Sequence, residues 1–453
     1  MNVILTVDFG STFTKVAAVC AQSEKIIATA KAFTTIHTDI RHGLDAALAE
    51  LYRQGGRMAF SQLLAASSAG GGLKMVAVGL VPALTAKAAS MAACSAGAKV
   101  VKTFAYELSA AEQQEIHDIR PDLILLSGGT DGGNKAVILH NAKKLAEIEG
   151  DFSVIIAGNK SVAQAALETL VKGNKAAVIC GNVMPAFNTL DIMPAKHAIR
   201  DLFMEKIIEA KGLTEASRMM SAPILPTPLA VFEGAELLAK SLGPLLAVDV
   251  GGATTDVYSI TDGAPTLPGV VQKGLPEPYA KRSVEGDLGM RYSLDALAEA
   301  AAHIFPETED FAHFRARCAA DPAYVPQPDS PHARFDATLC AAAVDIATQR
   351  HSGRLETTYT PHGKTFYQLG KDLSQIKYVI GIGGAIIYSA DPRAVLEKAT
   401  CPSGGEILKP VSPAFLMDAS YIFASAGLLS RVNEPLALKI MEAHITPPPP
   451  ARP

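Results

Sequence analysis

The chain has 453 residues, long enough for two or more domains with sizeable cores. Hydrophobic residues make up 49% and charged residues 19%, a folded globular composition rather than a disordered one. The formal net charge of −4, from 41 Lys+Arg and 45 Asp+Glu with no dense basic block, removes any global electrostatic case for nucleic acid or an anionic membrane.

The N-terminus passes directly into an apolar run, Val3 to Val7, without the basic start and cleavage site of a signal peptide. The six cysteines, Cys20, Cys94, Cys180, Cys318, Cys340 and Cys401, form no CxxC pair. Scattered thiols fit a reducing cytoplasm better than a disulfide or zinc scaffold. A cytoplasmic location is therefore expected.

In chain order, Val3 to Phe9, Val16 to Cys20 and Ile26 to Phe33 read as three strands, with a turn at Gly10-Ser11-Thr12. Thr38 then caps a helix running through Leu44, Leu48 and Leu51. His37, Asp39 and His42 at its start fit a solvated face rather than a metal site. Met75–Val81, Lys99–Phe104, Leu123–Leu126, Val154–Ala157 and Ala177–Ile179 alternate with helical stretches, the pattern of parallel βαβ units. Lys87 interrupts the apolar region from Val76 to Val101, which reads as buried strand plus helix rather than a membrane span.

The opening design then returns. Leu245 to Val250 is apolar, Gly251-Gly252-Ala253 turns, Val257 to Ile260 follows, and Leu267 to Val271 continues as a third strand. Each copy ends its first strand on an Asp with a Gly two residues later. This is a long-range duplication, read as two similar lobes facing each other rather than a solenoid. The stretch from 286 to 370 is Ala-rich and helical, with a Pro-rich break from Pro322 to Pro331, and Pro447 to Pro450 form a polyproline-type end.

The first loop runs Asp8-Phe9-Gly10-Ser11-Thr12-Phe13-Thr14-Lys15. Gly10 adopts backbone angles that a Cβ resists, and successive N–H groups in such a turn form a concave anion site. Ser11, Thr12 and Thr14 add hydroxyls and Lys15 a positive charge. Asp8, beside phosphates, suits Mg²⁺ held through water. The second loop, Asp249-Val250-Gly251-Gly252-Ala253-Thr254-Thr255-Asp256, repeats the arrangement. Asp249 stands where it would order Mg²⁺ or the attacking water. Asp256 is a further catalytic candidate or, alternatively, orients the loop. Two such loops are hard to explain as unrelated hairpins. A third cluster, Gly381-Ile382-Gly383-Gly384, follows an apolar run and points to adenosine contact at Gly381, Gly383 and Gly384.

Two Asp-x-Gly loops followed by a late Gly-x-Gly-Gly resemble the acetate and sugar kinase/Hsp70/actin superfamily. That resemblance implies an α/β fold: duplicated ribonuclease H-like ATPase lobes with inserted α/β and helical subdomains, ATP and Mg²⁺ as cofactors, and a nucleotide between the lobes. Gly234 and Ala235, with Ala424-Ser425-Ala426-Gly427, resemble its two small-residue connecting helices. Hsp70-type proteins also place a glycine-acid segment near the nucleotide, which assigns Glu285 and Gly286 to the same site. One departure is that Leu225, not an acid, precedes Pro226-Thr227. The implied organisation is 1–60 and 181–240 for the first lobe core, 61–180 for the α/β insertion, 241–285 and 371–453 for the second core, and 286–370 for a mainly helical insertion.

A narrower resemblance rests on Ser67 to Met75, Ser127 to Asn134 and Val284 to Arg291. These segments are similar to signatures of the MutL family associated with glutamate mutase, not the mismatch-repair protein of that name. The resemblance implies an ATPase that maintains or reactivates an adenosylcobalamin-dependent mutase, whose subunits would be its partners. Read from the residues alone, Gly70 to Gly72 is a flexible turn. The loop from Gly128 to Gly133 reads equally as an anion or partner site and as a tight structural turn. The alternatives within the superfamily are a small-molecule kinase, for which no carboxylate base is identifiable outside the loops, and an actin-like scaffold. Too few residues follow Gly427 for the peptide-binding domain of an Hsp70.

Overall fold

The structure, a computed structural model, describes residues 2–10, 12–35, 39–68, 74–210, 213–304, 308–327, 330–360, 363–402 and 404–450. Its strands are β1 (Val3–Phe9), β2 (Phe13–Cys20), β3 (Lys25–Phe33), β4 (Gln62–Ser67), β5 (Lys74–Gly79), β6 (Lys99–Ala105), β7 (Leu123–Leu126), β8 (Ser153–Ile156), β9 (Ala176–Ile179), β10 (Leu225–Pro226), β11 (Leu245–Val250), β12 (Thr255–Ile260), β13 (Val270–Lys273), β14 (Ala280–Glu285), β15 (Arg354–Thr360), β16 (Gly363–Leu369), β17 (Tyr378–Ile382) and β18 (Ala414–Met417).

The first sheet has the order β10-β4-β1-β2-β3 and the second β14-β12-β11-β17-β18. In each, three antiparallel strands are followed by two added in parallel to the first: β1 pairs antiparallel with β2 and parallel with β4, and β11 pairs antiparallel with β12 and parallel with β17. The two sheets are therefore the same ribonuclease H-like unit twice. All seven residues of β1 are buried, as a central strand covered on both faces requires. The Ile40–Gly55 helix packs Ile40, Leu44, Ala47 and Leu51 beneath it. Asp39 caps that helix, accepting from the Arg41 N–H at 2.9 Å. His37 and Thr38, the expected cap, lie outside the described residues. In the second unit the Pro331–His351 helix takes the corresponding place, packing Leu339, Ala343 and Val344 with Leu246, Val248 and Val379.

Two helices stand between the sheets. Thr227–Leu242 and Phe423–Ser430 share a core with Ile4, Val19 and Leu64 on one side and Leu245, Ala247 and Ile380 on the other. They cross at small residues: a β-carbon on Gly234 would lie 2.7 Å from the Phe423 carbonyl oxygen.

The inserted sheet is wholly parallel, in the order β6-β5-β7-β8-β9. It begins at Lys74 rather than at 61, because β4 pairs with β1 and belongs to the first lobe. Nor is it a separate body. Met75, Ala77, Ala88, Leu123 and Leu125 join Val3, Leu5 and Leu44 in one hydrophobic cluster. The second insertion also differs from expectation. The stretch 286–370 contributes a core helix, and its end folds into the β15–β16 hairpin, which pairs with β13 in a small third sheet. The third strand of the second unit is consequently β14, not Leu267 to Val271.

Candidate functional site

Asp8 and Asp249 occupy equivalent places, each near the end of its lobe's first strand and paired in register with β2 and β12. A cavity of about 880 Å³ opens between them. It is lined by Asp8, Gly10, Thr12 and Lys15 from the first loop, by Asp249, Gly251, Gly252, Ala253, Thr254 and Asp256 from the second, and by Gly383 and Gly384. The two loops turn alike. The Gly10 N–H donates to the Phe13 carbonyl at 3.1 Å, and the Gly251 N–H to the Thr254 carbonyl at 2.9 Å. Gly383 has φ +90°, and a β-carbon there would lie 2.6 Å from Oδ1 of Asp249. Only glycine lets this turn close over that carboxylate.

The charges are unevenly balanced. Asp8 accepts from the Thr227 hydroxyl at 2.5 Å and stands 3.8 Å from the Lys15 ammonium. Lys15 in turn lies 4.4 Å from the centre of the Tyr421 ring. Asp249 is half-buried in the cleft wall, and its carboxyl is pushed up to about 7, first by loss of solvent and then by the charges of Asp256, Asp8 and Asp418, with Lys15 opposing. Asp418 is raised too, chiefly by burial, although it accepts from the Ile422 and Phe423 N–H groups at 2.9 Å each.

This crowding of carboxylates fits a divalent cation. Among the described residues no three His, Cys, Asp or Glu side chains converge to hold a bare metal ion. Mg²⁺ needs no such set, because it keeps several waters and takes one or two carboxylates with the substrate's phosphates. Asp8 and Asp249 are the two carboxylates that would hold it.

Asp256 faces the same cleft but is already engaged. Its Oδ2 accepts from the Thr254 hydroxyl at 2.9 Å, and its Oδ1 from the guanidinium of buried Arg282 at 2.5 and 2.9 Å. These contacts tie the carboxylate to the loop and to β14. Several other predicted residues point elsewhere. Thr14 is buried, its hydroxyl 3.0 Å from that of Thr34, and Thr255 is buried with its hydroxyl donating to the Leu288 carbonyl at 2.6 Å. Strand alternation turns both away from the cleft. Gly381 sits within β17, where a β-carbon would meet Ile386 and Leu396. It is a packing glycine, not an adenosine contact. Glu285 is paired with Arg350 at 2.7 Å. Gly286 lines an adjoining cavity of about 810 Å³. Their segment instead supports the second loop from behind: Met290 N–H donates to the Gly251 carbonyl at 3.0 Å, and Arg291 and Tyr292 N–H to the Gly252 carbonyl at 2.8 Å. Ser11 and Gly70 to Gly72 lie outside the described residues.

The cleft also contains groups that loop spacing does not reveal. Thr227 reaches Asp8 from the start of a connecting helix. Lys31 on β3 donates to the Tyr388 hydroxyl at 2.9 Å, tying the first lobe to the second at the mouth. The Pro-rich break supplies an apolar wall with Tyr324, Val325 and Pro326, continued by Ala333 and Ala337 at the start of the Pro331–His351 helix. The Pro-rich break is the only sequence signal for that wall.

The loop from Gly128 to Gly133 lies at the end of β7 in the inserted sheet. Its glycines take φ of +146°, +72° and +77° at Gly128, Gly129 and Gly132. Buried Asn159 accepts from the Gly132 N–H and donates to the Gly133 and Asn134 carbonyls, and Asn182 donates to Gly129 and Asp131. The loop is thereby held as a tight structural turn.

A family profile described as MutL protein matches residues 4–445. Protein MutL of Clostridium tetanomorphum is 43% identical over 460 residues, covering 98% of this chain and 99% of that protein. Among solved structures, nucleotide-free acetone carboxylase is similar at 15% identity and a TM-score of 0.39, over 95% of this chain and 70% of the other. Component A of the Acidaminococcus fermentans (R)-2-hydroxyglutaryl-CoA dehydratase is similar at 10% and 0.30, over 98% and 99%. Xylulose kinase from Bifidobacterium adolescentis is similar at 13% and 0.30, over 99% and 94%. The fold assignment rests on the duplicated strand order, not on these distant likenesses. No described helix is long and apolar enough to cross a membrane.

Proposed function

We propose, from the premise that this chain belongs to the MutL family, that it is an ATP-binding and ATP-hydrolysing accessory protein. Its client on this reading is an adenosylcobalamin-dependent mutase such as glutamate mutase, which it maintains or reactivates. The observation that carries the nucleotide half is the pairing of Asp8 and Asp249 across one cleft, on equivalent strand ends of a duplicated fold. The client half rests on family membership.

The residues divide the work as phosphoryl transfer requires, through positioning and charge neutralisation. Backbone N–H groups of the two glycine turns and the Lys15 ammonium receive the phosphates. Bound Mg²⁺ would neutralise developing charge on the phosphates. Thr227 fixes the Asp8 carboxylate, and Asp249, its carboxyl raised, orients and receives the proton of the attacking water. Gly383 and Gly384 admit the nucleoside, and the apolar wall around Val325 and Ala333 excludes water from it. Closure of the lobes about the two crossed helices would couple nucleotide state to the client, whose contact surface we assign to the inserted parallel sheet.

The test is recovery of activity by a mutase whose cobalamin has been inactivated, incubated with this protein and Mg·ATP. Recovery together with client-stimulated phosphate release is the expected result. Phosphorylation of an added sugar or small acid, with no effect on the mutase, would establish a kinase instead.

A further inference from the structure

The inserted sheet is covalently part of the first lobe, since the chain leaves for it after β4 and returns at β10. Its Lys87–Ser95 helix is nevertheless held at both ends by the second lobe. At the helix start, Lys87 pairs with Glu277 at 2.7 Å, and the other oxygen of Glu277 pairs with Lys281 at 2.8 Å. At the helix end, Arg282 Nη1 donates to the carbonyls of Cys94 and Ala98 at 3.1 and 3.3 Å. Those carbonyls belong to the turn that closes the helix, where partners within the helix run out and a cation is favoured.

Arg282 is the same side chain that grips Asp256. It projects from β14, where Val284 pairs with Asp256 and Arg282 with Tyr258. An unbroken series of polar contacts therefore runs from the second loop to the inserted sheet: Thr254 hydroxyl to Asp256, Asp256 to Arg282, and Arg282 to the carbonyls just before β6. Neither charged partner has room to turn to solvent, because their side chains are only 2% and 10% exposed. Gly97, within the same turn, lines the nucleotide cleft, and a β-carbon on it would touch Pro226 and Leu229 of the connecting helix. The turn from 94 to 98 thus meets the second loop's ion pair, the cleft and a connecting helix at one place.

We propose that Arg282 is a positioning residue that transmits occupancy of the second phosphate loop to the inserted sheet. A phosphate drawn onto the loop pulls on Thr254. Asp256 follows, and the guanidinium shifts its hold on the 94–98 turn, moving the helix and β6 with it. The fork matters: one planar guanidinium serves a carboxylate and two carbonyls together, which a single ammonium does not reproduce. This inference rests on the nucleotide reading of the cleft.

The test is amide hydrogen exchange across residues 87–105, with and without Mg·ATP, alongside a separate titration of ATP affinity. In the parent chain ATP should slow exchange in this segment. Arg282→Lys should bind ATP with close to parental affinity and lose that slowing. Parental slowing in Arg282→Lys, or no response at 87–105 in a parent chain that binds ATP, overturns the relay. A parent chain that binds no ATP overturns the nucleotide reading itself. If Arg282→Lys does not fold, Thr254→Val replaces it, because it leaves the buried ion pair intact while cutting the loop from it. At Mg·ATP concentrations shown to saturate that variant, loss of the slowing supports the relay, and parental slowing overturns it.

Discussion

Gly427 lies so close to Ala230 that a β-carbon on it would stand 1.8 Å from the Ala230 carbonyl oxygen. Gly234 approaches Phe423 from the other side of the same crossing, so the two connecting helices meet backbone to backbone. Gly427→Ala forces them apart at the crossing on which the proposed lobe closure depends. Overpacking of this kind costs about 1–3 kcal/mol, and the backbone contact places this variant at the upper end. Urea denaturation should show a lower midpoint for Gly427→Ala, and turnover should fall further than the loss of stability explains. A variant with parental stability would show that the crossing has slack.

Thr227→Val removes the hydroxyl that donates to Asp8 at 2.5 Å. Hydrogen bonds to charged groups contribute about 1.5–3 kcal/mol, so turnover should drop about 10- to 100-fold while the fold persists. Thr227→Ser should recover most of it. If the valine variant turns over at the parental rate, Asp8 is positioned by something other than this contact.

Asp249 predicts a specific pH dependence. An unfolded aspartate titrates near 3.9, as a typical value, and in the folded chain burial raises this carboxyl to about 7. Between those values the folded chain holds the extra proton, so this group makes stability fall as pH rises from about 4 to about 7, with little change above. Asp249→Asn carries no such titration. Denaturation midpoints for the two chains should therefore diverge across that window, with the parent losing ground as pH rises. Parallel curves would contradict a raised carboxyl at Asp249.

The client surface is testable without dismantling the fold. Because the inserted sheet shares its core with the first lobe, its excision would expose apolar surface and confuse the result. Substitution at the exposed edge avoids this. Ile179 on β9 and Phe187 beyond it are 41% and 76% exposed. Ile179→Lys with Phe187→Ser should weaken capture of the mutase and leave ATP affinity unchanged. Undiminished capture would move the client surface away from this edge.

The contrast between what the chain's order revealed and what it hid has a physical basis. The two loops, the parallel insertion and the small-residue helices are legible because each is written in local sequence: an apolar strand, then Asp-x-Gly, or a short run of glycine, alanine and serine. What a side chain faces is set by partners far away in the chain. Thr14 and Thr12 are two residues apart in one loop, yet only Thr12 reaches the cleft, because Thr34 claims the other hydroxyl. Nothing in the spacing around Arg282 marks it, and only the register of β14 against β12 places it on Asp256. No acid precedes Pro226-Thr227, and the hydroxyl of Thr227 itself is the group that reaches Asp8. The pairing of β16 with β13 is not legible locally, because the two lie on either side of an inserted helical stretch.

The central claim is that paired carboxylates at Asp8 and Asp249 run one ATP-hydrolysing site, and a single comparison addresses it directly. Phosphate release from Mg·ATP should be measured for the parent chain and for Asp249→Asn, with nucleotide affinity determined for both. The account predicts that both bind ATP and that the variant turns over about 100- to 1,000-fold more slowly, the range for removing one preorganised group from a transition state. Parental turnover in Asp249→Asn, or a parent chain that binds no nucleotide, would contradict it.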